Sequence, residues 1–311
     1  LSETVVFDFP TIRGLTSHLG GLTNPAASDE PTATPVSTKM MPEVTPVCVI
    51  PSNARYINAS AASRPIAVLA MSHVLPGGVA SASSHSTMTS SSLDLIGEVP
   101  PERWASPEQS SAVDSAALCC MRHGGFTIGA QLFDHRRFHI STTETVAMDP
   151  QQRAVLERGY CALHEGGLLG ADYGGSVGVA IGITQTEYTR ILEGSPAGYT
   201  VAATTGATLS IASGRLSYVL GLQGPCAAFE TACSSALMAC HAAAHALRLG
   251  DCEAHLVGGV NLMLHPSTSA GLAIAGMTSP TGRSYTFDAR ADGFVRGEDT
   301  VGMSLRGVAS N

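Results

Sequence analysis

Aromatic side chains are scarce in this chain, at 5% of 311 residues with a single tryptophan, and charged residues are few, at 14%. A core with so few rings has to close through small side chains and near approach of backbones, and 33 glycines with 44% hydrophobic residues permit that. Positive charge is also short: 17 Lys and Arg stand against 25 Asp and Glu, a formal charge of −8. Without a basic stripe, nucleic acid and anionic membrane surfaces are poor partners. No apolar run approaches the roughly 20 residues needed to span a bilayer, and no signal peptide opens the sequence. None of the eight cysteines forms a CxxC pair, and the chain is far longer than a disulfide scaffold. These absences point to a soluble, cytoplasmic protein with free thiols. What remains is length enough for one large domain with a real core, or two smaller ones.

Three zones differ in composition. Residues 1–20 hold an apolar stretch (VVFDFP) and a short amphipathic helix. Pro10 lies near its start, Ile12, Leu15 and Leu19 share a face, and Gly20 with Gly21 end it. Twenty residues are too few to bury a core, so this reads as the tail of a preceding domain. Residues 21–63 are dominated by Pro, Ala, Ser and Thr and cannot bury enough apolar area to offset their ordering entropy, which makes them a linker.

From Arg64 onward strand-like and helix-like segments alternate. Pro65 to Met71 is a short apolar run ending near the Pro76-Gly77-Gly78 turn, while the Ser-rich stretch 79–92 has no assignable pattern. Asp149 to Leu163 has helical spacing, with Val155, Leu156, Ala162 and Leu163 on the face to be buried. Ser176 to Ile183 and Ala254 to Leu264 read as buried strands. Strands separated by apolar helices predict an α/β fold with a covered sheet.

The segment richest in chemistry is GPCAAFETACSSAL, residues 224–237. A Gly-Pro turn leads into a short strand, Glu230 and Thr231 interrupt it, and a helix is expected from about Ala232 or Cys233 to Leu249. Thr231 is the expected N-cap, and Cys233 falls in the first helical turn. There a thiol faces the positive end of the helix dipole, which favours the thiolate. Unpaired N–H groups at the same place can donate to an oxyanion on an attacked carbonyl. The helix itself is small and apolar nearly all round, so burial on every side is expected. The bland alternative is that Cys233 is an inert core thiol, the commoner fate of a cysteine in an apolar segment.

ETACSSAL resembles the nucleophile motif of type I β-ketoacyl synthases, with Glu230 where Asp is usual. Further blocks resemble the same family in order and spacing: residues 65–78, 97–104, 123–140, MDPQQR at 148–153, GRLSYVLGLQGP at 214–225, VGGVNLML at 257–264 and FDARADGFVRGED at 287–299. The likeness covers about 65–305, and residues 5–19 resemble the last helix of an acyl carrier protein. The whole is therefore similar to a piece of a modular polyketide synthase: a carrier tail over 1–20, a linker over 21–63, and the first half of a ketosynthase over 64–311.

That resemblance implies a thiolase-like fold, of which this chain is the N-terminal half of an α-β-α-β-α sandwich, and a homodimer. It implies that Cys233 accepts an acyl chain from a carrier thioester and that the acyl group is condensed with a malonyl-type unit after loss of carbon dioxide. No cofactor is bound directly; substrates ride on the phosphopantetheine of acyl carrier protein domains, which with the other synthase domains are the implied partners. Two family histidines that assist decarboxylation lie in HGTG-like and NxGH-like motifs of the second half, and none of the 11 histidines here sits in such a motif. The chain alone should then not complete a condensation. A fatty-acid-type condensing enzyme and a non-elongating, acyl-holding scaffold domain remain alternatives. Departures from the family pattern are Glu230, Thr281, Ser284, Tyr285, Asp299 and the Ser-rich 79–92.

Competing signals are weaker. Gly174 to Gly178 satisfies G-x-S-x-G, but the apolar strand follows the serine where an esterase elbow needs a helix. His241 and His245 are spaced i, i+4 as metal ligands can be, with no third ligand evident, and read as core or interface residues. Cys233 and Cys240 are two turns apart, about 10 Å, too far for a disulfide. The charges between Asp288 and Asp299 read as a salt-bridged turn.

Overall fold

The computed structural model describes residues 65–104, 114–170, 176–184 and 187–308. The carrier-like tail over 1–20 and the linker over 21–63 lie outside the described residues. In chain order the elements are β1 (Ile66–Val74), α1 (Ala82–Ser90), β2 (Gly97–Glu98), α2 (Ser115–Cys119), β3 (His123–Gly124), α3 (Thr142–Ala147) and α4 (Pro150–Glu165). Then follow β4 (Val177–Ile183), α5 (Tyr188–Glu193), α6 (Val201–Gly206), α7 (Leu209–Leu220), β5 (Cys226–Phe229), α8 (Ser235–Leu249), β6 (Ala254–Asn261), α9 (Pro266–Ile274) and β7 (Asp299–Gly307).

Five strands form one sheet in the order β1-β7-β6-β4-β5. β4 pairs in parallel with both β5 and β6, whereas β7 is antiparallel to both β6 and β1. Four strands thus run one way and β7 the other. β2 and β3 make a separate two-stranded ladder. Helices α4 and α7 pack on one face of the sheet and α8 on the other, giving three layers of the expected α/β architecture.

Local sequence explains the central elements. VGVAIGI of β4 is buried at every position, as a middle strand covered on both faces requires. α4 opens with Asp149 as N-cap, accepting from the Gln151 N–H at 2.8 Å, and Pro150 at its first position. Val155, Leu156, Ala162 and Leu163 are each at most 1% exposed, as the spacing predicts. A fully buried Val or Leu contributes about 1.5–3 kcal/mol relative to an exposed one. The polar members of MDPQQR are also buried: the Gln152 amide donates to the Thr205 and Thr208 carbonyls, Arg153 donates to the Met148 carbonyl, and Gln151 Oε1 accepts the Leu262 N–H at 3.2 Å, while Asp149 Oδ2 has no hydrogen-bond partner.

Two expectations need correction. The Ser-rich stretch 79–92 contains helix α1, started by a capping box in which Ser81 accepts from the Ser84 N–H. It buries no residue, which is why no apolar period announces it. α8 is not enclosed on all sides: Ser235, Ala239, Ala243, Ala246 and Leu247 are buried against the sheet, but Leu237 is 71% exposed. On the sheet itself Val68 and Met71 of β1 are more than half exposed. Apolar side chains on the outer side of α8 and on β1 therefore face outward among the described residues.

Candidate active site

Strand β5 is the edge of the sheet, and after Phe229 the chain makes a tight turn before entering α8. Cys233 sits in that turn and is exposed. The helix begins later than the sequence suggests. Ser234 is the N-cap and Ser235 the first helical residue, so Cys233 precedes the helix rather than lying in its first turn. Thr231, the expected N-cap, serves the turn instead.

The cause of the late start is Ala232, which has φ +52°. A residue with a Cβ pays a steric penalty there of about 1–2 kcal/mol, so surrounding bonds must hold it. Three hydroxyls do so. Ser234 Oγ donates to the Thr231 carbonyl at 2.7 Å and lies 2.9 Å from Thr231 Oγ1. Ser235 Oγ accepts the Thr231 N–H at 2.8 Å and donates to the Ala232 carbonyl at 2.7 Å. The turn is thereby fixed from within, by the very serines that follow the cysteine in sequence.

Small residues let the helix start approach the sheet. A Cβ on Gly182 of β4 would lie 2.4 Å from the Ala236 N and 2.6 Å from its Cα, inside any real contact distance. Only glycine lets the start of α8 rest directly on β4. On β6, a Cβ on Gly259 would meet the Ala236 Cβ at 3.0 Å. Cys233 is thus placed by a strand edge, a strained turn and a helix seated on two glycine-containing strands.

A second polar centre stabilises the loops beside the sheet. Glu298, 1% exposed, accepts from Arg103 at 2.9 and 3.1 Å, from the Thr127 N–H and hydroxyl at 2.8 Å each, and from the Met263 N–H at 2.9 Å. Glu187 accepts the Leu264 and His265 N–H groups at 2.7 and 2.9 Å, with Arg296 3.6 Å away. Burial lowers the Arg296 pKa, partly offset by Glu187 and Glu298. The charges read as a local salt-bridged turn therefore divide: Asp288 and Arg290 do pair locally at 2.8 Å, whereas Arg296 and Glu298 reach across the fold.

Other sequence signals find their places. Ser176 Oγ donates to the Gln223 carbonyl at 3.3 Å just before β4, and a strand follows it; Gly174 and Gly175 lie outside the described residues. His241 and His245 rings are 4.5 Å apart on α8, and no group of three possible metal ligands occurs among the described residues. Cys240 is a separate free thiol whose pKa burial pushes up. Thr281 and Ser284, two departures from the family pattern, are both engaged: Thr281 Oγ1 lies 2.9 Å from Ser279 Oγ, and Ser284 Oγ accepts the Val295 N–H at 3.0 Å. A cavity of about 490 Å³ opens beside Arg103, Trp104, Tyr188 and His265, but no residue of β5 or α8 lines it.

Residues 63–305 match the family described as Beta-ketoacyl synthase, N-terminal domain. The chain belongs to this family. Among curated proteins it is similar to the phthioceranic/hydroxyphthioceranic acid synthase of Mycobacterium tuberculosis, 40% identical over 251 residues, covering 78% of this chain and 12% of that protein. It is also 36% identical over 308 residues to the spectinabilin polyketide synthase system protein NorC of Streptomyces orinoci, covering 98% of this chain and 13% of the relative. Among solved structures, the ketosynthase from module 6 of the bacillaene synthase of Bacillus subtilis 168 superposes with a TM-score of 0.67 at 31% identity, over 78% of this chain and 40% of that one. The oxazolomycin ketosynthase domain of Streptomyces albus JA3453 gives 0.69 at 27% identity, over 78% and 42%. The ketosynthase-type, thiolase-like fold of a type I polyketide synthase is therefore the fold of this chain. It spans about 13% of the spectinabilin synthase protein and about 40% of the bacillaene ketosynthase chain.

Proposed function

We propose that Cys233 is the acyl-accepting nucleophile of a polyketide synthase ketosynthase, taking a growing chain from the phosphopantetheine of an acyl carrier protein. The observation that carries this is the turn itself. An exposed thiol stands between an edge strand and the start of a buried-face helix, in a turn strained at Ala232 and held by hydroxyl bonds. Strain of this kind is kept where surrounding structure over-determines it, and functional sites are where it clusters. The thiolate attacks the thioester carbonyl, and the helix N-terminus and the Cys233 N–H oppose the charge that develops.

The complete enzyme then condenses the Cys233-bound chain with a malonyl-type unit as carbon dioxide is lost. That step draws on histidines outside these 311 residues, since no HGTG-like or NxGH-like motif occurs in the sequence. Residues 1–20 read as a carrier-protein tail and 21–63 as a linker. The match to the spectinabilin synthase protein over 98% of the chain supports placing them in a polyketide synthase too. The solvent-facing edge strand β5 suits pairing with a second copy, in keeping with a homodimer.

The test separates the two half-reactions. Offered a hexanoyl thioester and then malonyl-loaded carrier protein, this protein is expected to take up the hexanoyl group and to release no carbon dioxide. Release of a β-ketoacyl product by these 311 residues alone would overturn the assignment of decarboxylation to outside histidines. Failure to take up the acyl group would overturn the nucleophile.

A further inference from the structure

One hydroxyl beneath the Cys233 turn forms two hydrogen bonds that bear on how the turn does chemistry. Ser235 Oγ accepts the Thr231 N–H and donates to the Ala232 carbonyl, and the Ser235 N–H donates to the same carbonyl at 3.1 Å. Ser235 is 5% exposed, so water competes little for these bonds. The Ala232 carbonyl belongs to the peptide unit that also carries the Cys233 N–H. In a trans peptide the C=O and N–H vectors point in opposite directions. Drawing that carbonyl in toward the start of α8 therefore turns the Cys233 N–H away from the helix. With Ala232 at φ +52°, this peptide sits in an orientation the backbone does not favour by itself.

We infer that Ser235 is a positioning residue whose hydroxyl holds the Ala232–Cys233 peptide so that the Cys233 N–H donates to the oxyanion of an attacked thioester. This rests on the reading of Cys233 as the nucleophile. The Cys233 thiolate forms a C–S bond to the thioester carbon, and the C=O π pair moves to oxygen, which accepts the Cys233 N–H. On collapse the pair returns, the bond to the carrier sulfur breaks, and the carrier leaves as thiolate. Ser235 touches neither substrate nor sulfur in this step. Its contribution is the direction of one N–H. The neighbouring Ser234 differs, because its hydroxyl bonds to Thr231 and leaves the Ala232 carbonyl alone.

Two reactions of the same thiol separate aim from mere folding. Acylation by hexanoyl-N-acetylcysteamine passes through an oxyanion, whereas alkylation by iodoacetamide does not. In Ser235→Ala, acylation of Cys233 is expected to slow at least about tenfold, less than the hundredfold or more seen when an oxyanion donor is removed outright. The alkylation rate and its pH profile should stay within about twofold of wild type, and Ser235→Thr, which keeps a hydroxyl, should recover most of the acylation rate. Wild-type acylation in Ser235→Ala would overturn the inference. So would an equal fall in both reactions, which would make the serine a prop for the fold. A wild-type protein that alkylates at Cys233 but is never acylated would instead sink the nucleophile reading beneath it.

Discussion

Gly182→Ala is the most informative substitution far from the thiol in sequence. The added Cβ would stand 2.4 Å from the Ala236 N and 2.5 Å from the Ser235 carbonyl carbon. Comfortable carbon contacts begin near ~3.5 Å, so β4 and the start of α8 must separate by about 1 Å. Both neighbours are backbone, and no flexible side chain can yield. Overpacking of this kind costs about 1–3 kcal/mol, and the displacement falls on the turn that carries Cys233. A misplacement of about 1 Å at reacting groups costs on the order of a hundredfold in rate. The assay pairs urea unfolding with stopped-flow acylation by a hexanoyl thioester. The expected variant is folded, about 1–3 kcal/mol less stable by this argument, and about a hundredfold slower to acylate. A Gly182→Ala protein with wild-type stability and rate would refute the claim that this close approach seats the thiol.

Two further outcomes test the surrounding polar framework. Glu298→Ala leaves the Arg103 guanidinium and the Thr127 and Met263 N–H groups without their acceptor, and should lower stability by about 3–5 kcal/mol in urea unfolding; a change under about 1 kcal/mol would contradict the network. Burial pushes the Asp149 carboxyl up to about 6, against 3.8 when unfolded. A raised carboxylate pKa means that its contribution to stability is full below about pH 4 and is lost as pH rises through about 6. Asp149→Asn keeps an N-cap side chain, so it should remove that part of the pH dependence and raise stability at about pH 8. An unchanged slope of unfolding free energy between about pH 4 and 7 would count against the burial argument.

Much of the sheet was legible because its strands are short apolar runs, as in β4 and β6, and α4 because its apolar residues recur at helical spacing. The Cys233 turn was legible in place but not in shape. Nothing in TACSS announces that Ala232 takes a positive φ, because alanine is not a residue normally chosen for it; the two serines after Cys233 were the available signal. α1 escaped notice since it is held by its own serine capping box and buries nothing. The open face of α8 could not be seen in composition, as an apolar helix reads the same whether its second side meets protein or solvent. Glu298, too, looked like part of a charged turn, while its partners Thr127 and Arg103 lie 171 and 195 residues away. Pairings at that separation are a property of the fold and not of any local pattern.

The central claim is that the acyl group lands on Cys233. The direct measurement is peptide mapping by tandem mass spectrometry after exposure to a hexanoyl thioester, with Cys226, also exposed on β5, as the internal comparison. The account predicts a hexanoyl adduct on the Cys233 peptide, lost in Cys233→Ala and retained in Cys226→Ala. An adduct confined to Cys226, or spread evenly over the exposed thiols, would contradict it.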